Sequence, residues 1–145
     1  MKKTRVGVVG LGRLGSIHAK IYSTLDNTEL CAICDIDENT AKNTALTLKT
    51  SWTTDYKKLL DNKLEAVSIA TPTILHYEIA KFFLQNRTHV LIEKPITRTL
   101  KEAKDLINIA AKNRLTIQVG HVERFNSAIQ AIERLSNKPR FIEVH

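Results

Sequence analysis

A chain of 145 residues with 43% hydrophobic and 26% charged side chains has the composition of one domain able to bury a core in water. The net charge of +7 comes from 22 Lys and Arg scattered along the sequence with no block of five or six like charges, so a solvated basic surface is expected and a nucleic-acid partner is not. No apolar stretch reaches the ~18 residues a membrane helix needs, and Arg5 and the glycines interrupt the amino-terminal run, so no membrane segment is expected and a cytoplasmic location follows.

The chain opens on an apolar strand that runs into a glycine turn, VGVVGLGRLG. In such a unit Gly10 permits the tight turn, Gly12 lets backbone approach a pyrophosphate, and Gly15 lets the following helix pack closely on the strand. Ile17, Ile21 and Leu25 recur at four-residue spacing and predict an amphipathic helix over 13–25 with that stripe against the sheet. The first turn of this helix offers unpaired N–H groups and the positive end of the helix dipole to an anion. Gly10, Leu11, Gly12, Arg13, Leu14 and Gly15 are therefore assigned to a dinucleotide, with Arg13 an optional source of charge.

About 20 residues beyond Gly15, the next apolar run, ELCAICDID, ends at Asp35. A carboxylate there accepts hydrogen bonds from ribose hydroxyls and repels a 2′-phosphate, so NAD is expected ahead of NADP, with Lys42 within reach along the chain as the opposing consideration. Cys31 and Cys34 spell CxxC inside this strand, where residues three apart point to opposite faces. They are read as small buried hydrophobes, with neither a metal nor a redox pair expected.

Helical and extended periods then alternate. A helix is predicted over 39–48, an extended piece over 51–53, a small helix over 55–60, and a buried strand in LEAVSIAT. A helix over 74–85, the strand HVLIEK, a helix over 100–113 and the strand LTIQVG follow. This alternation is what a parallel sheet with right-handed helical crossovers requires, and the fold class is α/β, a doubly wound parallel sheet. Beyond Gly120, Phe125, Ala128, Ile129, Ile132 and Leu135 share one helical face, and FIEVH at the end reads as a strand without a partner.

Two further sites fall where strands leave the sheet. In ATPTILH, Ala70 ends a strand, Pro72 fixes the turn, and Thr73 is placed to cap a helix carrying His76. Thr71, Pro72 and Thr73 would border the same crevice as the glycine turn, since ligands of open α/β sheets bind at the carboxyl ends of the strands. By spacing alone His76 is a partly exposed first-turn residue. In EKP, residues 93–95, Lys94 can hydrogen-bond a substrate hydroxyl or polarise a carbonyl, and its place beside an apolar strand suggests partial desolvation; a surface loop lysine is the equal alternative.

Taken together, GLGRLG, ATPTxxH and EKP resemble the glucose-fructose oxidoreductase and inositol dehydrogenase family, often called Gfo/Idh/MocA, over essentially the whole chain. The string VGHVERFN looks like its UDP-N-acetylglucosamine 3-dehydrogenase-like branch, which acts on nucleotide-linked sugars. The resemblance implies a Rossmann domain and hydride transfer between NAD(P) and a hydroxyl or carbonyl carbon of a sugar, cyclitol or sugar nucleotide. It makes Lys94 the catalytic lysine, sets Glu93 and Lys94 near the nicotinamide ribose, lines the cofactor groove with Ala70, Thr71, Pro72, Thr73 and His76, and makes the Lys94–Pro95 peptide cis. It leaves His121 and Arg124 either facing the substrate crevice or capping the last helix.

The family carries a second α/β domain that holds substrate, together with an aspartate-histidine pair for the proton. Residues 1–120 are accordingly expected to be the dinucleotide domain and 121–145 a helix and the start of a truncated substrate domain. Cofactor binding without efficient turnover is expected of the chain alone, and homo-oligomerisation is open to it. A non-catalytic dinucleotide sensor or regulatory module is the alternative, which the retention of Lys94 disfavours.

Overall fold

Strand β1 (Thr4–Val9) is buried on both faces from Val6 onward, which is the pattern of a strand at the centre of a sheet covered on both sides. It pairs in parallel with β2 (Thr28–Cys34) on one side and β4 (Ala66–Ile69) on the other. Outside these lie β3 (Ser51–Thr53), β5 (His89–Ile92) and β6 (Ile117–Val119), giving one parallel sheet in the order β3-β2-β1-β4-β5-β6. The computed structural model describes residues 2–135.

The helices are α1 (Arg13–Thr24), α2 (Glu38–Leu48), α3 (Thr73–Gln85), α4 (Leu100–Asn113) and α5 (Ser127–Leu135), with 3₁₀ segments at Tyr56–Asn62 and Val122–Phe125. Alternate residues of a strand face opposite sides, and two apolar clusters result. Val8 and Ile33 pack with Ala19, Ala41 and Ala45 of α1 and α2. Val9, Ile69 and Ile92 pack with Phe83, Leu84 and Leu106 of α3 and α4. The chain winds outward from β1 to β3, then returns to β4 beside β1 and winds the other way. That reversal leaves a crevice at the carboxyl ends of β1 and β4.

The helix α1 does not pack through the stripe its sequence suggests. Ile17 and Ile21 are each 47% exposed and Leu25 43%, while Gly15 and Ala19 face the sheet. The reason is distance: a Cβ on Gly15 would collide with the carbonyl oxygen of Gly10, so the helix lies too close to the strand for branched side chains between them.

The two cysteines depart from strict alternation as well. The β1–β2 register shifts between Val6, opposite Leu30, and Gly7, opposite Ala32, so Cys31 is the extra residue of a bulge. Cys34 and Cys31 consequently pack against the same apolar cluster, and both are free thiols. At the other end of the chain Phe125 sits in the 3₁₀ segment, 80% exposed, and is not part of the apolar face of α5. The expected strand FIEVH lies outside the described residues.

Two outcomes test this packing. Gly15→Ala gains ~1 kcal/mol of helix propensity but forces α1 off the turn, and overpacking of this kind costs ~1–3 kcal/mol, so its urea midpoint should fall below that of the wild type. Burial, with smaller contributions from the charges of Asp35 and Asp55, pushes the Cys34 thiol up from 9.0 to about 12. Because the folded value lies above the unfolded one, the stabilisation is complete below pH 9.0 and drains away as the pH rises toward about 12. A thiol reagent at pH ~8 should accordingly label Cys34 only after unfolding.

Candidate functional site: a crevice at the strand ends

Gly10 leaves β1 with φ +85°, in the left-handed region, and its N–H donates to the carbonyl of Cys34 at 2.8 Å. A Cβ there would meet the carbonyl of Ala70 at 2.8 Å, so the turn and the end of β4 touch through backbone. Gly12 is the N-cap of α1 and has no side-chain cap; a Cβ added to it would meet nothing within 4 Å. The first-turn N–H groups of α1 are thus free of a side-chain partner and open to the crevice.

Asp35, just beyond β2, is fixed by two backbone donors. The N–H of Leu11 donates to Oδ2 at 2.7 Å and that of Asp37 to Oδ1 at 2.9 Å. Each carboxylate oxygen retains a further lone pair for a ligand hydroxyl. A cavity of about 460 Å³ lies between Gly10, Gly12, Asp35 and Ile36 on one side and Thr71, Pro72 and Leu75 on the other. Ile36 is 89% exposed at its rim, and the Oγ1 of Thr71 is buried there without a hydrogen-bond partner. Uncapped amides, an open cradle over Gly12, a carboxylate and an orphaned hydroxyl form a donor and acceptor set that fits a dinucleotide.

The neighbouring loops sit differently from what spacing suggests. Pro72, at φ −56° and ψ 142°, takes the N-cap position of α3, so Thr73 is the first helical residue and does not cap. His76 is 1% exposed, not partly exposed. Its Nε2 faces the carbonyl of Thr71 at 2.8 Å and its Nδ1 that of Pro95 at 3.0 Å. It is not among the cavity's lining residues; it lies beneath, joining the loop after β4 to the loop after β5.

The strand β5 ends at Ile92, so Lys94 is solvent-exposed and not partly desolvated. The Lys94–Pro95 peptide is cis. Glu93, by contrast, is 6% exposed, and its Oε2 accepts from the backbone N–H of Lys94 at 3.2 Å. His121 and Arg124 are exposed near the 3₁₀ turn and line no part of the cavity, and Lys42 is exposed on α2 away from it.

Residues that sequence reasoning passed over complete the picture. His18 of α1 reaches the buried Glu93, its Nε2 3.2 Å from Oε1, and its Nδ1 is 2.7 Å from the hydroxyl of Ser68. A helical projection would have placed His18 beside Gly15 and Ala19 on the sheet-facing side, but nothing local names its partners. Ile36 carries no signal beyond its adjacency to Asp35.

A parallel sheet with a glycine turn and an acidic residue at its switch point defines a dinucleotide-binding domain. Residues 4–121 match the family model GFO_IDH_MocA, described as "Oxidoreductase family, NAD-binding Rossmann fold", and the chain belongs to that family. It is 35% identical over 140 residues to UDP-N-acetylglucosamine 3-dehydrogenase of Acidithiobacillus ferrooxidans, a match covering 96% of this chain and 44% of that protein. It is 32% identical over 135 residues to scyllo-inositol 2-dehydrogenase (NAD(+)) of Bacillus subtilis, covering 91% and 40%.

Among solved structures, that of the Acidithiobacillus ferrooxidans enzyme, GnnA, superimposes with a TM-score of 0.86 at 34% identity, over 94% of this chain and 44% of the other. Scyllo-inositol dehydrogenase from Lactobacillus casei, with bound cofactor NAD(H) and scyllo-inositol, gives 0.86 at 26% identity, over 92% and 41%. The chain therefore spans less than half the length of these relatives. Among the described residues, no helix is long and apolar enough to cross a membrane, and no group of three or more His, Cys, Asp or Glu side chains is arranged to hold a metal ion.

His76→Ala is the sharpest test of the loop architecture. It removes the ring whose one N–H in the neutral form goes to the carbonyl of Thr71 or of Pro95, at ~1–3 kcal/mol for a carbonyl left unpaired, and opens a hole beneath both loops. Its melting temperature should drop markedly, and an unchanged value would show that the loops hold themselves.

Proposed function

We propose that this chain is the NAD-binding domain of an oxidoreductase that moves hydride between nicotinamide and a hydroxyl or carbonyl carbon of a sugar, cyclitol or sugar nucleotide. The observation that carries the reading is the position of Asp35, whose carboxylate is tied to the glycine turn by the 2.7 Å bond from Leu11. Ribose hydroxyls can donate to its remaining lone pairs, whereas a 2′-phosphate would set like charges together, so NAD is the preferred cofactor over NADP. The uncapped first turn of α1, from Gly10 through Leu11, Gly12, Arg13 and Leu14 to Gly15, takes the pyrophosphate. Ala70, Thr71 and Pro72 wall the groove, and Thr73 opens the helix that backs them. Exposed Ile36 and Leu75 offer apolar surface to the adenine.

When bound, NAD supplies the hydride acceptor. On the protein side, Lys94 donates a hydrogen bond to the substrate oxygen and lends positive charge to a developing alkoxide. Glu93 fixes the backbone of that lysine, and His76 holds Thr71 and Pro95 from below. Residues 1–120 form the cofactor unit in this reading and 121–145 begin a substrate-holding one, which the relatives' more than twofold greater length supports. The two free thiols accord with a cytoplasmic setting.

Calorimetric titration of NAD⁺ and NADP⁺ into the wild type and Asp35→Ala tests the reading. Losing hydrogen bonds to a charged acceptor costs ~1.5–3 kcal/mol, so the variant should bind NAD⁺ roughly 10- to 150-fold more weakly and lose its preference over NADP⁺. Absence of binding to either nucleotide by the wild type would leave only a shared fold.

A further inference from the structure

Glu93 is a carboxylate with 8% of its side chain exposed, enclosed where α1, β5 and the end of β6 meet. A Cβ on Gly120 would stand 2.9 Å from its Oε1, so the segment after β6 presses flush against it. An acid so enclosed is costly unless it is paired. Its partners are the Lys94 backbone N–H on Oε2 and the His18 ring on Oε1. An ionised carboxylate only accepts, so the proton of this second bond is assigned to His18 Nε2. The other ring nitrogen is committed to the hydroxyl of Ser68 of β4, and Tyr22, one turn along α1, lies beside that hydroxyl. The groups around the imidazole are therefore Glu93 after β5, Ser68 from β4 and Tyr22 from α1.

We propose that His18 is a positioning residue: by bracketing Glu93 against Ser68, it fixes the backbone of Lys94 relative to the helix that carries the glycine turn. The lysine's part in this rests on the function proposed above; the bracket itself does not. Lys94 is exposed and follows the last residue of β5 by two positions, so its own side chain has little to hold it. Its N–H is bonded to a carboxylate that cannot swing while the imidazole grips it. Because the same ring rides on α1, the pyrophosphate helix and the lysine segment become one rigid unit.

The test is made by NMR on this chain without cofactor, comparing the wild type with His18→Ala, His18→Gln and Glu93→Gln. Gln places an N–H donor close to where Nε2 stands, so it restores the arm to Glu93 while giving up the one to Ser68. The wild-type imidazole should show Nε2 protonated and in a single state, with its signal moved by Glu93→Gln. The Lys94 amide should shift in His18→Ala and return toward the wild-type position in His18→Gln, a rescue that simple loss of packing would not produce. A ring that averages between states, or a Lys94 amide indifferent to His18→Ala, overturns the bracket. Should His18→Ala fail to fold, the wild-type ring and its response to Glu93→Gln still decide. Adding NAD⁺ to the same wild-type sample reads the cofactor assignment separately: glycine-turn amides that ignore it would overturn the proposed function, while the bracket stands or falls on the cofactor-free spectra.

Discussion

The contact between α1 and the turn at Gly10 is the constraint on which the site depends. With no side chain on Gly15, helix and turn meet through backbone alone, and the free end of α1 is pressed over the carboxyl edge of the sheet. The same proximity brings the N–H of Leu11 to Asp35 and sets His18 down on β4 and the end of β5. An uncapped helix end, a carboxylate held at the turn and a buried acid-imidazole contact thus follow from one close approach.

The second constraint is topological. Since the chain returns to β4 beside β1, the loops after β4 and β5 open on the same edge as the glycine turn. Loops are ordinarily the mobile parts of a domain, but here a buried imidazole joins them through two main-chain carbonyls. The crevice is therefore largely preformed, with Thr71 and Pro72 on a wall that His76 supports from behind.

Similar identities, 35% and 32%, link this chain to relatives named for a nucleotide sugar and for a cyclitol. Under the proposed function that near-equality has a physical reason. The residues in this stretch serve the glycine turn, the ribose acceptor and the sheet, which a common cofactor asks of all of them alike, so overall identity here does not sort substrates.

The fold was legible in the sequence because hydrophobic periodicity and glycine placement are local signals: α4 over 100–113 and β3 over 51–53 fall where the pattern put them, and the glycine turn stands at the switch point of the sheet. What periodicity misjudged were faces. The stripe Ile17, Ile21 and Leu25 is half exposed because the space under α1 admits only Gly15 and Ala19, and Cys31 turned inward because a bulge breaks the two-residue repeat. Pairings across the sequence were illegible altogether. His18 meets Glu93 across 75 positions and His76 meets Pro95 across 19, distances over which no spacing rule operates. The sequence by itself determined the order of elements, the parallel sheet and the acidic residue facing the turn, since each follows from short-range sterics and burial; only the tertiary structure decided which polar side chains are enclosed and what they hold, because those partners are brought together by the packing of the whole sheet.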